Sequence, residues 1–301
     1  MKKTFFHYAV IIIAASMLSA CGGGGDNDDG PRTTGGDTPS STAQVSFSVT
    51  VGDYQSSSGH NWSFLRGDEL GIYAVEPSGN LNLQEYGNYA DNMRYQWDGS
   101  RFLAVGNSIS KSLTKQLAYY AIYPYMSAAG RQMEFTVNSN QASAENLAKS
   151  DFCTAFAALT SSMNVTIALK HRMSRVCVKV LGDNLQGHVS KVVLKDVSLT
   201  LSSNMNTDSY VSSSNGKRGM VDMWCASEDK NTYYAVIPPQ ILPSNKVYMV
   251  STVDGHEMNV EFNSDEILTS GVEKVLTIQR KPDSSSELIV FGGQINPWEK
   301  D

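Results

Sequence analysis

The histidines are the first side chains to consider as catalytic or metal-binding groups. No pair of them has the spacing of a zinc site, and the sequence contains no H-E-x-x-H, G-x-S-x-G, P-loop or G-x-G-x-x-G motif. His171 stands out because it continues the apolar face of an alternating run that contains Val165, Ile167 and Leu169. A histidine on such a face is more simply a buried side chain held by a hydrogen bond than a general base. The sequence therefore predicts a structural role for His171.

Adjacent acidic residues are the next candidates for chemistry. They occur at Asp68-Glu69, Glu228-Asp229 and Asp265-Glu266. A glycosidase needs two carboxylates that face each other across a cleft, and adjacency in sequence does not create that arrangement. We interpret the three pairs as solvated charges of turns, and we predict no catalytic residue, no cofactor, no metal and hence no enzyme.

Three cysteines, Cys153, Cys177 and Cys225, follow the N-terminal region. Their separations match no C-x-x-C metal or redox pattern, and an odd number of thiols cannot all pair within one chain. Two interpretations stay open, small semi-buried side chains or at most one disulfide.

Cys21 has a different context, because it directly follows an export signal. Lys2 and Lys3 supply positive charge, residues 9–18 are almost wholly apolar, and Leu18-Ser19-Ala20 suits a signal peptidase. The Leu-Ser-Ala-Cys junction resembles the lipobox of bacterial lipoproteins. We therefore predict a signal peptide over residues 1–20 and acyl chains, such as palmitate, on Cys21. The alternative is a plain secretory signal with an incidental cysteine.

Residues 21–42 are predicted to form a flexible acidic linker. Four glycines follow Cys21, and Asp26, Asp28 and Asp29 repel one another, so this run is expected to stay extended and solvated. The whole chain has 24 basic and 30 acidic residues and a formal net charge of -6. Such a charge argues against nucleic acid as a partner.

The rest of the chain has the alternation of β-strands. Val45, Phe47, Val49 and Val51 alternate with serine and threonine, and residues 117–125 are apolar on both faces, as in a central strand. Only residues 142–148 look helical. Many short strands divided by polar turns predict an all-β protein with two β-sandwich domains, over residues 43–184 and 185–301.

Six segments together resemble one protein family. They are the lipobox, GDELGIYAV at 67–75, LAYYAIYPY at 117–125, KSDFCTAFA at 149–157, LKHRMSRVCVKV at 169–180 and INPW at 295–298. Their order is similar to that of the fimbrillins, lipoprotein pilins and pilin-like adhesins of gut and oral anaerobes, and above all to their Mfa-like branch. The resemblance implies two transthyretin-like or immunoglobulin-like sandwiches, lipid anchoring to the outer membrane, display on the cell surface, and fimbrial subunits as partners.

The resemblance also implies assembly by strand exchange. A trypsin-like protease cuts after a basic residue, the first strand leaves, and a strand of another subunit occupies the groove. Arg66 lies between the first strand and the next, whereas a cut at the competing Arg32 sheds only the tether. The candidate donor strand is Leu288, Ile289, Val290 and Phe291, and the alternative is that these residues close the second sandwich.

A second functional interpretation is a glycan-binding surface lipoprotein of a polysaccharide-uptake system. Such a protein needs exposed aromatic platforms for sugar rings. The candidates are Trp62, Trp97, Trp224, Tyr89 and Tyr95. As an adhesin, the chain would also have a ligand on a host or bacterial surface.

Overall fold

A computed structural model describes residues 41–52, 63–225, 230–244, 249–262, 264–281 and 287–297. The predicted signal peptide, Cys21, Arg32, nearly all of the linker and Trp62 lie outside these ranges. The described chain is nearly all β, as predicted. None of its helices has the length and apolar content needed to cross a bilayer.

The described residues form 23 β-strands and one α-helix. The first part contains β1 (Thr42–Gln44), β2 (Ser46–Val51), β3 (Glu69–Val75), β4 (Ala90–Trp97), β5 (Phe102–Ala104), β6 (Ser110–Ser112), β7 (Leu117–Tyr123), β8 (Gln132–Thr136), α1 (Ala144–Lys149), β9 (Cys153–Thr160) and β10 (Asn164–His171). The second part contains β11 (Ser174–Val180), β12 (Val189–Ser198), β13 (Thr200–Asn204), β14 (Ser209–Ser212), β15 (Arg218–Asp222), β16 (Trp224–Cys225), β17 (Thr232–Ile237), β18 (Gln240–Leu242), β19 (Met249–Val253), β20 (His256–Glu261), β21 (Glu266–Leu268), β22 (Val272–Arg280) and β23 (Leu288–Pro297).

A seven-stranded sheet contains most of the early strands, in the order β2-β10-β9-β7-β3-β4-β5. All seven residues of β7 are buried, and β7 lies in the middle of the order, so the prediction of a central strand is confirmed. Its odd-numbered side chains, such as Tyr119 and Tyr123, join one apolar cluster, and Tyr120 and Ile122 join a second one. The strand is apolar on both faces because each face contributes to a different core.

A nine-stranded sheet contains most of the late strands, in the order β15-β12-β19-β20-β23-β22-β11-β17-β16. The strand β11 pairs antiparallel with β17 and parallel with β22. The sequence assigned β11 to the domain of residues 43–184, yet both of its partners follow residue 185. The boundary between the two predicted sandwiches stays a prediction, and strand pairing crosses it.

The helix α1 overlaps the segment 142–148 that the sequence predicted to be helical, but it begins two residues later and ends one residue later. Its N-cap is Ser143, whose side chain accepts a hydrogen bond from the Asn146 amide, and Lys149 pairs with Glu145 one turn earlier. The helix packs near β17 and connects the region of β8 to β9.

Candidate functional site

The strand β2 is the first candidate for exchange, and it lies at the edge of the seven-stranded sheet. It pairs in parallel with β10 from Ser46 opposite Asn164 to Val51 opposite Leu169. Its side chains alternate as the sequence predicted, because Phe47 is buried while Ser48 and Thr50 are exposed. Because β2 is hydrogen-bonded on one side only, its departure breaks no other pairing within the seven-stranded sheet. The preceding strand β1 pairs with β6, and loss of the whole N-terminal segment breaks that pairing as well.

Phe47 provides the main apolar contact of this strand. Its ring packs edge-on against Tyr95 at 5.2 Å and against Tyr119 at 5.4 Å between ring centroids. The neighbouring Val45 is 1% exposed. Removal of Val45 together with β2 would therefore expose the Tyr95 and Tyr119 rings and leave the places of Val45 and Phe47 in the apolar cluster unfilled.

Arg66, the candidate cleavage residue, lies in a turn just before β3. Its side chain is exposed, and its Nε donates to the carbonyl of Asp98 at 3.0 Å. The next amide, Gly67 N–H, donates to the carbonyl of Trp97 at 2.9 Å. The Arg66-Gly67 bond is thus accessible to solvent but is held against the end of β4, so a protease would have to open this turn.

Asp68 follows in the same turn and is half-buried. Oδ2 accepts from the Leu65 amide at 2.7 Å. Desolvation by burial raises the pKa of Asp68, although the hydrogen bonds from Leu65 and Tyr123 act in the opposite direction. The carboxylate therefore stabilises the turn while it remains partly exposed to solvent.

The candidate donor residues Leu288, Ile289, Val290 and Phe291 lie in β23. This strand pairs antiparallel with β22 and parallel with β20, near the middle of the nine-stranded sheet. Leu288 and Val290 are buried in the larger apolar cluster. This position agrees with the alternative that the segment closes a sheet of its own chain, and donation to another subunit stays a prediction.

The predicted aromatic platforms are mostly covered. Tyr95 is buried, whereas Trp97, Trp224 and Tyr89 are half-buried. Trp97 packs on Phe64 and Phe102, and Trp224 packs on Tyr234. Tyr89, Tyr95 and Trp97 belong to or pack against one apolar cluster, and Trp224 packs against another.

A different aromatic surface, which the sequence analysis missed, lies beside β9. Phe156 is 53% exposed, and its ring packs on Tyr120 at 4.9 Å. The Arg172 guanidinium lies 4.2 Å from the centre of the Tyr210 ring and donates to Asp208 at 2.8 Å. We call this shallow depression, lined by Tyr120, Phe156, Arg172, Asp208 and Tyr210, the Phe156 surface. Its residues come from separate strands and turns, so no local sequence pattern predicts it.

A buried polar cluster lies on the other side of the same strands. His171 is 2% exposed, and its Nδ1 is 2.6 Å from Asp151 Oδ2, so the prediction of a buried, hydrogen-bonded histidine is confirmed. Cys153 Sγ lies 3.6 Å from the same nitrogen. No disulfide joins Cys153, Cys177 and Cys225 in the described part of the chain, and burial raises the pKa of the Cys177 thiol to about 12.

Several solved structures of Bacteroides proteins have a similar fold. A proposed cell adhesion protein from Bacteroides ovatus has 17% sequence identity and a TM-score of 0.67, with 87% of this chain and 99% of that chain covered. A proposed cell adhesion protein from Bacteroides uniformis has 16% identity and a TM-score of 0.61, with 85% and 99% covered. A fimbrial protein from Bacteroides vulgatus has 14% identity and a TM-score of 0.52, with 85% and 99% covered.

At these identities the structural likeness concerns the fold alone. No curated protein matches the chain. The sequence model of the fimbrillin-like family, in contrast, matches residues 57–298, which is most of the chain. The chain therefore belongs to the fimbrillin-like family.

Proposed function

We propose that the chain is a surface-exposed structural subunit or adhesin of fimbriae, anchored through lipid on Cys21, assembled by β-strand exchange and without catalytic activity. The observation that carries the proposal is the family match over residues 57–298. The edge position of β2 supports the assembly mechanism, and the export signal with its lipobox supports the anchor.

The acceptor site for a strand of another subunit is the place that β2 occupies. After β2 leaves, β10 has an unpaired edge, and the contacts of Phe47 with Tyr95 and Tyr119 are lost. An incoming strand with an apolar residue at every second position restores both the backbone hydrogen bonds and the side-chain packing. Burial of each large apolar side chain contributes roughly 1.5–3 kcal/mol, so several of them make such a joint stable.

Release of β2 requires a cut between β2 and β3. Arg66 is the only lysine or arginine between Gly52 and Glu69. Because Gly67 N–H is bonded to Trp97, we expect the cut to be slow in the folded monomer. N-terminal sequencing of polymers from the cell surface is expected to give Gly67 as the first residue. A first residue at Cys21 or at Thr33 would rule out this cut.

A reversible lock on β2 tests the exchange mechanism. Ser48 and Thr166 are both exposed and lie opposite each other in the register of β2 and β10. Neighbouring strands are about 4.8 Å apart, which suits a disulfide. The double variant Ser48→Cys/Thr166→Cys is expected to yield monomers when oxidised and to polymerise after mild reduction.

The single variant Ser48→Cys is the matched control and is expected to polymerise under both conditions. Polymers are detected as SDS-resistant ladders on unboiled gels. Polymer formation by the oxidised double variant, with its disulfide verified by mass spectrometry, would show that β2 does not need to leave.

A second candidate function is the binding of glycans, and the Phe156 surface is the observation that favours it. An exposed ring offers a stacking face to the C–H groups of a sugar, and the guanidinium of Arg172 and the carboxylate of Asp208 can bond to neighbouring hydroxyls. Thr154 also holds Arg172 by accepting from its Nε at 2.7 Å, so the polar wall is preorganised.

Affinity electrophoresis against a panel of plant and mucin polysaccharides tests this candidate. The variant Phe156→Ala is expected to abolish any retardation that the unmodified chain shows. Tyr86→Ala, which removes another exposed aromatic ring, is the control and is expected to have no effect. Equal retardation of Phe156→Ala and Tyr86→Ala would mean that the Phe156 surface does not bind the polysaccharide.

A further inference from the structure

Asp151, Cys153 and His171 form a buried cluster where β9 begins and β10 ends. Cys153 and His171 are direct partners in the antiparallel register of these strands, and Asp151 lies two residues before Cys153. The relative exposure of the three residues is 1%, 0% and 2%. Their potential ligand atoms, one from each residue, all lie within 4.8 Å of one another.

The separation of the sulfur and the nitrogen fits a tetrahedral zinc site. With zinc about 2.3 Å from a thiolate and about 2.0 Å from an imidazole nitrogen, tetrahedral angles place these two atoms about 3.5 Å apart. Cys153 Sγ and His171 Nδ1 are 3.6 Å apart. The same geometry requires about 3.4 Å between nitrogen and carboxylate oxygen. Asp151 Oδ2 is 2.6 Å from Nδ1, so it would move back when an ion replaces their hydrogen bond.

The second oxygen of Asp151 is a separate observation that points to a ligand. Oδ1 is buried and has no hydrogen-bond partner among the described residues. An unsatisfied polar atom in a protein interior costs about 1–3 kcal/mol, and more when the group is charged. A cation in the cluster would satisfy Oδ1 directly, and a bidentate carboxylate would complete a four-coordinate set.

The charges of the three side chains also suit a divalent ion. A thiolate and a carboxylate carry two negative charges, the imidazole is neutral, and a divalent cation brings their sum to zero. A neutral cluster avoids the large cost of an uncompensated charge in the interior. Thiolate and imidazole ligands favour zinc over magnesium and calcium, which prefer oxygen.

We propose that Asp151, Cys153 and His171 bind a structural Zn²⁺ ion that joins β9 to β10. Binding displaces two protons from these positions, the thiol proton of Cys153 and the Nδ1 proton that His171 shares with Asp151 in the metal-free cluster. His171 is then neutral, with its one proton on Nε2 and Nδ1 facing the metal. Because the cluster is buried, the ion enters during folding. The site is structural, because its ligands are closed off from solvent and leave no accessible position for a substrate.

Cobalt substitution in the full chain with Cys21→Ala tests the site. Three thiols remain in this variant and only Cys153 belongs to the cluster, so single substitutions identify the thiol that binds cobalt. The protein is prepared without a metal-binding tag and refolded with Zn²⁺ or Co²⁺. We expect one zinc per chain by elemental mass spectrometry and a thiolate-to-cobalt charge-transfer absorption. Cys153→Ala is expected to lose the absorption and to lower zinc affinity by more than about 100-fold. This loss is larger than the one caused by changing a residue that only hydrogen-bonds to a metal ligand.

The control variants Cys177→Ser and Cys225→Ser are expected to keep both the metal and the absorption. Asp151→Asn provides a second test that leaves every thiol in place, and circular dichroism verifies the fold of each variant. Absence of bound metal in the unmodified chain, or charge-transfer absorption that survives in folded Cys153→Ala, would overturn the proposal.

Discussion

At the scale of single residues, Phe47 joins the edge strand β2 to the aromatic core. Replacement by alanine removes the contacts with Tyr95 and Tyr119 and leaves a cavity. We expect Phe47→Ala to lower the free energy of unfolding by about 3–5 kcal/mol, measured by urea denaturation. The neighbouring exposed Ser48→Ala is the control, with an expected change within about 0.5 kcal/mol. Equal stability of the two variants would mean that β2 does not pack as described.

The turn at Asp68 predicts a dependence of stability on pH. Burial raises the pKa of this carboxyl in the folded state, so folding favours its protonated form. The stability from this effect is fully present below the ordinary pKa and is lost as pH rises through the raised one. Asp68→Asn keeps an acceptor for the Leu65 amide and removes the titration.

Urea midpoints of the unmodified chain and of Asp68→Asn, measured from pH 3 to pH 7, test this effect. The unmodified chain is expected to lose stability relative to the variant as pH rises above the ordinary value near 4. A difference that is constant with pH, or one of opposite sign, would contradict the direction of the pKa shift.

Sequence patterns predict whether a residue is buried better than they predict which residues surround it. The alternation around His171 predicted that it is buried. Its contact with Cys153 depends on the register in which β9 and β10 pair. The alternation of apolar and polar residues along each strand does not specify that register. The same reason explains why the Phe156 surface was missed, since Arg172 and Asp208 reach Phe156 only through folding of distant turns.

At the scale of elements, the order of strands was the unpredictable part. The positions of β2, β3, β7 and α1 follow from local alternation, apolar runs and capping residues. The placement of β11 among the late strands depends on two pairings with residues up to about a hundred positions away, and these depend on the whole fold.

Truncation after Ser286 distinguishes the two roles of β23. Because β23 pairs with both β20 and β22 and buries Leu288 and Val290, we expect the truncated chain to lose cooperative unfolding in the nine-stranded sheet. Circular dichroism and size-exclusion chromatography measure this loss. A folded, soluble monomer that no longer polymerises would instead identify Leu288–Phe291 as a donor strand.

At the scale of the whole molecule, Cys21 and the acidic linker are predicted to hold the folded body away from a membrane. More than one acyl chain makes such an anchorage stable, since each buried methylene contributes about 0.8 kcal/mol. Cys21→Ala is expected to move the protein from the membrane fraction to the soluble fraction, as detected by immunoblot. Association that persists in this variant would contradict the lipid anchor.

Immunogold electron microscopy of the producing cell, with antibodies against this chain, tests the central claim most directly. We predict gold particles on filaments that project from the cell surface, along their length for a stalk subunit or at an end for a tip or anchor subunit. Label confined to the cell interior, or spread over the surface of cells that carry filaments without marking any of them, would contradict a fimbrial role.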